Sequence, residues 1–194
     1  MSADRIFTTP ELQRRYDQVD ISLLTPKCTL VPEHFFSESS ARTLLESVAA
    51  LREEDSVSWV RLKELSSVLV YSNSVDGSLA RAVAATVLTT SGEAAPVLPE
   101  MYWLLKLMPS LEEYNKILAS YMDGYLHLVI AQGRSLSLCN VFSAPDFTTA
   151  QYFIFLSLKR LQLNPELSTI AFRTPLDQDA EMSLYRYFKS VIRL

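Results

Sequence analysis

The chain has 194 residues, 48% of them apolar, enough for a continuous core in one domain or in two small, closely packed ones. A formal charge of -4 with both signs interspersed supplies no positive field for phosphates, which speaks against nucleic acid as a partner. The longest apolar runs, Tyr152 to Leu156 and Tyr125 to Ala131, fall far short of the roughly 20 residues that cross a bilayer, so no membrane span is expected.

Met1 to Pro10 mixes Asp4 and Arg5 with Thr8 and Thr9 and lacks the apolar stretch of a secretory signal, which points to the cytoplasm. Val19 to Leu24 reads as a short strand stopped by Thr25-Pro26, and Cys28 to Val31 as a second stopped by Pro32, because proline removes a ladder donor. The two are expected to be neighbours. Ser37 can cap a helix whose apolar positions Ala41, Leu44, Leu45, Val48 and Leu51 follow the 3.6-residue period. Val57 to Leu62 is a predicted strand. Ser67 to Tyr71 is too continuously apolar for a sheet edge and is expected to be central. Asp76 or Ser78 then starts a helix carrying Leu79, Val83 and Val87 on one side.

The polar stretch from Thr89 to Pro99 interrupts both periodicities and is the expected boundary, dividing the chain into 1–96 and 97–194. Met101 to Met108 is a predicted helix that could bridge the two parts, with a strand as the alternative, and Pro109 ends it either way. Asn115 to Tyr121, Tyr125 to Ala131 and Arg134 to Phe142 read as a three-stranded antiparallel meander. Their separators, Met122-Asp123-Gly124 and Gln132-Gly133, supply hairpin turns with glycine at positive φ. Asp146 caps a helix running to Leu163, where Asn164-Pro165 stops it. Being apolar on nearly every side, at Tyr152, Phe153, Phe155 and Leu156, this helix is expected to be buried on more than one face and to join the two parts. Leu167 to Phe172 is a further strand, and Asp177 or Asp179 starts a last helix with Leu184, Phe188 and Val191 inward.

The order of three strands, helix, strand, helix is similar to the ribonuclease-H-like half-domain that is duplicated in actin, sugar kinases and heat-shock chaperones. The segments Thr29-Leu30-Val31-Pro32-Glu33-His34-Phe35-Phe36, Val68-Leu69-Val70-Tyr71, Leu136 to Phe142, Gln151-Tyr152-Phe153 and Leu161 to Glu166 resemble a bacterial family known only as a domain of unknown function. The resemblance implies an α/β actin-like (ASKHA) fold of two ribonuclease-H-like halves, related to the adaptors of pilus assembly and cell division. It implies no activity. Relative to that pattern the first half lacks its initial β-hairpin, and Ile192-Arg193-Leu194 ends the chain without an evident closing strand. Either the chain is shortened or its first half is incomplete in nature.

Active members of the superfamily cradle phosphates with backbone amides in glycine-containing hairpin turns, where any side chain would occupy the ligand's space. Here only Gly77, Gly92, Gly124 and Gly133 are present, four in 194 residues, against a usual share of about 7%. The second phosphate turn is reduced to Asp123 and Gly124, the only cofactor-binding candidates, and Arg173-Thr174-Pro175 stands where an adenosine-binding glycine pair would follow a strand. Asp123 could hold magnesium, although a turn aspartate needs no ligand to explain it.

A two-metal nuclease needs converging carboxylates, and the strands Asn115 to Tyr121 and Leu167 to Phe172 contain none. His34 and His127 have no Cys or Glu at metal-ligand spacing and are expected to pack, no serine sits in a glycine-flanked elbow, and Cys28 and Cys139 read as buried thiols. No catalytic residue, metal site or cofactor is therefore expected. A non-catalytic scaffold acting through a protein partner or self-association is the leading reading, and a divergent nucleotide-binding ATPase or nucleotide-gated adaptor the alternative. An uncovered edge on Val19 to Leu24 would allow pairing with another chain, unless Met1 to Gln18 folds over it with Leu12 and Tyr16 packing at helical spacing.

Overall fold

The computed structural model describes residues 3–74 and 77–194. Two short helices, α1 (Ala3–Thr8) and α2 (Pro10–Gln13), open the chain. They are followed by strand β1 (Ile21–Leu23), the Thr25-Pro26 break and β2 (Cys28–Pro32). Ser37 and Ser40 bond each other through backbone and side chain (Ser37 N to Ser40 Oγ 3.2 Å, Ser40 Oγ to Ser37 O 2.9 Å) and lead into α3 (Ala41–Glu46). That helix is shorter than its apolar period predicted: it buries Ala41 and Leu45, but Val48 lies beyond its end and is exposed. Next come β3 (Val57–Leu62), β4 (Ser67–Ser72) and α4 (Gly77–Thr86). Asp76, one of the two residues expected to start this helix, lies outside the described residues.

β5 (Val97–Pro99) leads directly into α5 (Glu100–Leu107), whose fixed start follows from Pro99. The meander forms as expected from β6 (Asn115–Met122), β7 (Tyr125–Gln132) and β8 (Ser135–Ser143). Asp146 accepts from Thr149 N at 2.7 Å and starts α6 (Phe147–Arg160). β9 (Thr169–Phe172), α7 (Gln178–Tyr185, capped by Asp177) and β10 (Ser190–Arg193) complete the chain.

β6 to β10 form one sheet in the order β10-β9-β6-β7-β8, with β10, β9 and β6 parallel and the rest antiparallel. β10 corrects two expectations: a strand does follow the last helix, and Phe188 and Val191 lie beyond α7, not on it. Both still pack into the core, Val191 from a strand position in register with Ile170 of β9. β2, β4 and β3 form a second, antiparallel sheet with β4 in the middle, as its unbroken apolar run predicted. β1 and β2 are not neighbours. β1 pairs in parallel with β5, Ile21 opposite Val97, so strand pairing crosses the expected boundary at 96/97. The Thr25-Pro26 break redirects the chain from one sheet to the other.

Alternation along each strand assigns the layers. On β7, Leu126, Leu128 and Ile130 face α6 and α7, whereas Val129 and Ala131 face α5. On β4, Leu69 faces α5 while Val68 and Val70 face α3. α5 is therefore held between two sheets, with Met101, Leu104 and Leu105 packed among Leu62, Leu69, Leu118 and Val129. It is the helix that packs against both sheets.

α6 does not share that role. Its core residues Ala150, Ile154 and Leu158 stay within the five-stranded sheet's own core, and Tyr152 is 59% exposed. Ile154 and Leu158 meet the sheet, while Tyr152 turns away from it with its ring edge-on to Phe153. A fourth apolar cluster joins Ile6 and Leu12 to Val19, Ile21, Ala82, Val87 and Ala95, so the amino-terminal segment does pack beside β1. Tyr16 does not share in this packing: it is exposed and bridges Thr89 through its backbone.

Candidate functional site

Where α5 begins, the apolar core gives way to a buried polar cluster. Glu100, in the first turn, is 1% exposed. Its Oε2 accepts from Arg173 Nη1 at 2.6 Å, and its Oε1 accepts from the Ser120 hydroxyl. Ser120 comes from β6 on the face that looks at α5. Arg173 follows β9, and its backbone N donates to Ala119 O at 3.0 Å, which extends the β6–β9 ladder and fixes where the side chain starts.

The same Arg173 Nη1 donates to Ser22 Oγ of β1 at 2.9 Å. The guanidinium lies over the Trp103 ring, 5.7 Å from its centroid, and the Trp103 indole N–H donates to Ile21 O at 3.3 Å. One cation thereby ties β1, α5 and the end of β9 together at the carboxyl ends of parallel strands, where ligands bind in open α/β sheets. The Arg173 side chain is 20% exposed, so one side of the cluster reaches solvent.

His127 sits opposite Ser120 in the β6–β7 ladder and is 1% exposed. Neither ring nitrogen has a hydrogen-bond partner among the described residues. Desolvation pushes the imidazole below its ordinary pKa, opposed by the Glu100 charge and by the Thr25 backbone, which lies close without completing a hydrogen bond of normal geometry. Ser120 is not activated by His127: its proton goes to Glu100. Ser120 and His127, though opposite each other, therefore do not form a nucleophile–base pair. The cluster is organised to hold charge in place.

A second polar knot lies beside the β1–β2 break. The Asp55 carboxylate accepts from Lys27 Nζ at 2.5 Å, Arg52 N at 2.9 Å and Ser74 Oγ at 2.8 Å. The Lys27 hydrogen bond above all, then those from Arg52 N and Ser74, holds its acid well below the usual carboxylate range.

Asp123 and Gly124 form the β6–β7 turn, with φ of +52° and +76° respectively, a two-residue hairpin that demands left-handed backbone. A Cβ at Gly124 would meet Ala144 O at 3.8 Å, an ordinary contact. Glycine is required there by φ and not by a close approach. Asp123 is exposed and makes no side-chain hydrogen bond or ion pair among the described residues. No cluster of three or more His, Cys, Asp or Glu that could hold a metal occurs among the described residues.

His34 is exposed against Phe35, with centroids 4.0 Å apart, and so does not pack into the core as expected. A short helical turn (Glu33–Phe35) immediately after Pro32 carries it outward. Cys28 of β2 and Cys139 of β8 are free thiols near each other. Burial pushes Cys28 up to about 12 and Cys139 higher still, which makes both poor nucleophiles.

The chain is similar in structure to a Bacteroides thetaiotaomicron VPI-5482 protein described as having an actin-like ATPase fold and unknown function. The TM-score is 0.70 at 19% identity, over 98% of this chain and 74% of that one. No curated protein matches the sequence. A match to the family model described as Protein of unknown function (DUF3822) runs from residue 3 to 191. With nearly its whole length matched, and with an α/β architecture like that of a protein of actin-like ATPase fold, the chain belongs to the DUF3822 family.

Proposed function

We propose that the protein is a non-catalytic, actin-like scaffold that works in the cytoplasm through a protein partner or self-association. The observation that carries this reading is the packing of α5. Met101, Leu104 and Leu105 fill the space between the two larger sheets, and the Glu100–Arg173 pair closes its start, so the junction is already occupied by the chain's own side chains. Asp123, exposed at the β6–β7 turn and without a side-chain hydrogen bond or ion pair among the described residues, also favours a scaffold over an ATPase.

Two ribonuclease-H-like halves, 1–96 and 97–194, fit this reading. The order β10-β9-β6-β7-β8, with its three parallel strands, supports the second half. The first half, proposed to lack an initial hairpin, distributes β1 to β4 over two sheets.

Calorimetric titration of the full chain with magnesium-ATP and magnesium-ADP, alongside a phosphate-release assay, tests the proposal. No saturable binding is expected, and Asp123→Ala should leave the traces unchanged. Micromolar binding with turnover would replace the scaffold by a divergent ATPase. Binding without turnover that is lost in Asp123→Ala would make the protein a nucleotide-gated adaptor.

A further inference from the structure

α6 and α7 lie side by side on one face of the five-stranded sheet, where Ile154, Leu158 and Leu184 join its core. Gln151 Nε2 donates to Ser183 Oγ at 2.7 Å, and four residues further along each segment the Phe155 ring meets Tyr187, centroids 4.9 Å apart. The two helices therefore run parallel, with their amino-terminal ends at the same end of the face. Across from each buried stripe a large apolar side chain stands in solvent, Tyr152 on α6 and Met182 on α7, both more than half exposed. Exposed charges sort by sign along this outer face. Asp146, Asp177 and Asp179 stand at the amino-terminal end and Lys159, Arg160 and Arg186 at the carboxyl-terminal end, and none of the six is in an ion pair among the described residues.

Acids at helix starts and bases at helix ends answer the helix dipoles in any protein. The exposed apolar centre does not follow from the dipoles, and it falls near the midpoint of both charge pairs: Tyr152 between Asp146 and Lys159, Met182 between Asp179 and Arg186. A face that is negative at one end, apolar in the middle and positive at the other is complementary to itself when turned end over end. We propose that this face is the contact between two copies of the chain, related by a two-fold axis that crosses the helices at Tyr152 and Met182. This assignment rests on the scaffold reading and gives its self-association a surface. The axis sets α6 antiparallel on α6 and α7 antiparallel on α7, so every contact occurs twice. Tyr152 and Met182 meet their own counterparts. Arg186 of each copy reaches Asp177 and Asp179 of the other, which line a hollow of about 260 Å³ between the helix starts. An axis running along the helices would instead set acid on acid and base on base, which like-charge repulsion opposes.

Sedimentation velocity of the full chain, from low micromolar to several hundred micromolar, should show monomer giving way to dimer. Tyr152→Ala, at an exposed position, should weaken the dimer about tenfold or more, because each dimer loses two rings at its centre. Arg186→Glu and Asp179→Lys should each weaken it, with a smaller loss at high salt. The chain carrying both exchanges should recover most of the affinity, because its two ends are complementary again. Circular dichroism of each variant checks that the fold is kept. A monomer at every concentration would overturn the proposal, as would a dimer unmoved by Tyr152→Ala, or a double exchange no tighter than either single variant. These results are separable from the nucleotide titration: a monomer that ignores magnesium-ATP is still a scaffold for a different protein, whereas turnover removes the scaffold reading whatever the oligomeric state.

Discussion

Replacing Arg173 with Met should destabilise the protein far more than a typical substitution. The Glu100 carboxylate, 1% exposed, would keep only the Ser120 hydroxyl as a partner. Breaking a buried ion pair from one side costs about 3–5 kcal/mol, because the remaining charge stays desolvated. Arg173 is itself 20% exposed, so water can partly replace it and the lower end, about 3 kcal/mol, applies here. For a chain of this size that corresponds to a Tm lowered by about 6–12 °C. Replacing both residues with Met should recover most of the loss, since an apolar pair of similar volume needs no compensation. Urea denaturation of the two single variants and the double variant, read by circular dichroism, gives the coupling energy directly. If Arg173→Met has the wild-type midpoint, or the double variant is no more stable than Arg173→Met, the cluster does not hold the junction.

His127→Leu removes two unpaired polar atoms and should stabilise the protein by about 1 kcal/mol. Because burial depresses the His127 pKa, the unfolded chain takes up the proton first, so wild-type stability should fall as pH drops through about 6.5. Urea midpoints between pH 8 and 5 should therefore diverge between wild type and His127→Leu, and parallel curves would contradict this. Asp55→Ala should lower the midpoint at neutral pH. The acid is held low in the folded state by Lys27, Arg52 N and Ser74, so the deficit should shrink as pH falls below about 4, where wild type loses the same contribution. Phe153→Ala, which loses a ring stacked on Phe142 at 4.6 Å in a partly buried position, should cost about 2 kcal/mol. Tyr152→Ala, by contrast, should stay within about 0.5 kcal/mol in the same denaturation assay.

Much of the fold was legible in the sequence, because its signals are local. Met122-Asp123-Gly124 and Gln132-Gly133 turn the meander within a few residues, Asp146 and Asp177 cap helices by bonding amides three residues on, and the continuous apolar run of Ser67 to Tyr71 could only be central. Similar local reading overextended α3 and α7, because apolar residues such as Leu51 and Val191 can reach a core from a loop or a strand as well as from a helix. Tertiary structure alone decided that β1 pairs with β5 and not with β2, that α5 and not α6 lies between the sheets, and that Ser22, Glu100, Ser120, His127 and Arg173 gather at one point. Glu100 gave a faint sign, a carboxylate opening a mostly apolar helix whose other charge is Lys106. Its partner could not be read from spacing, since Ser22, Glu100 and Arg173 lie far apart in the chain and meet only when separate strands are brought side by side. Short-range turns and caps are set by neighbouring residues, whereas a buried ion pair is set by the desolvation that the whole fold imposes.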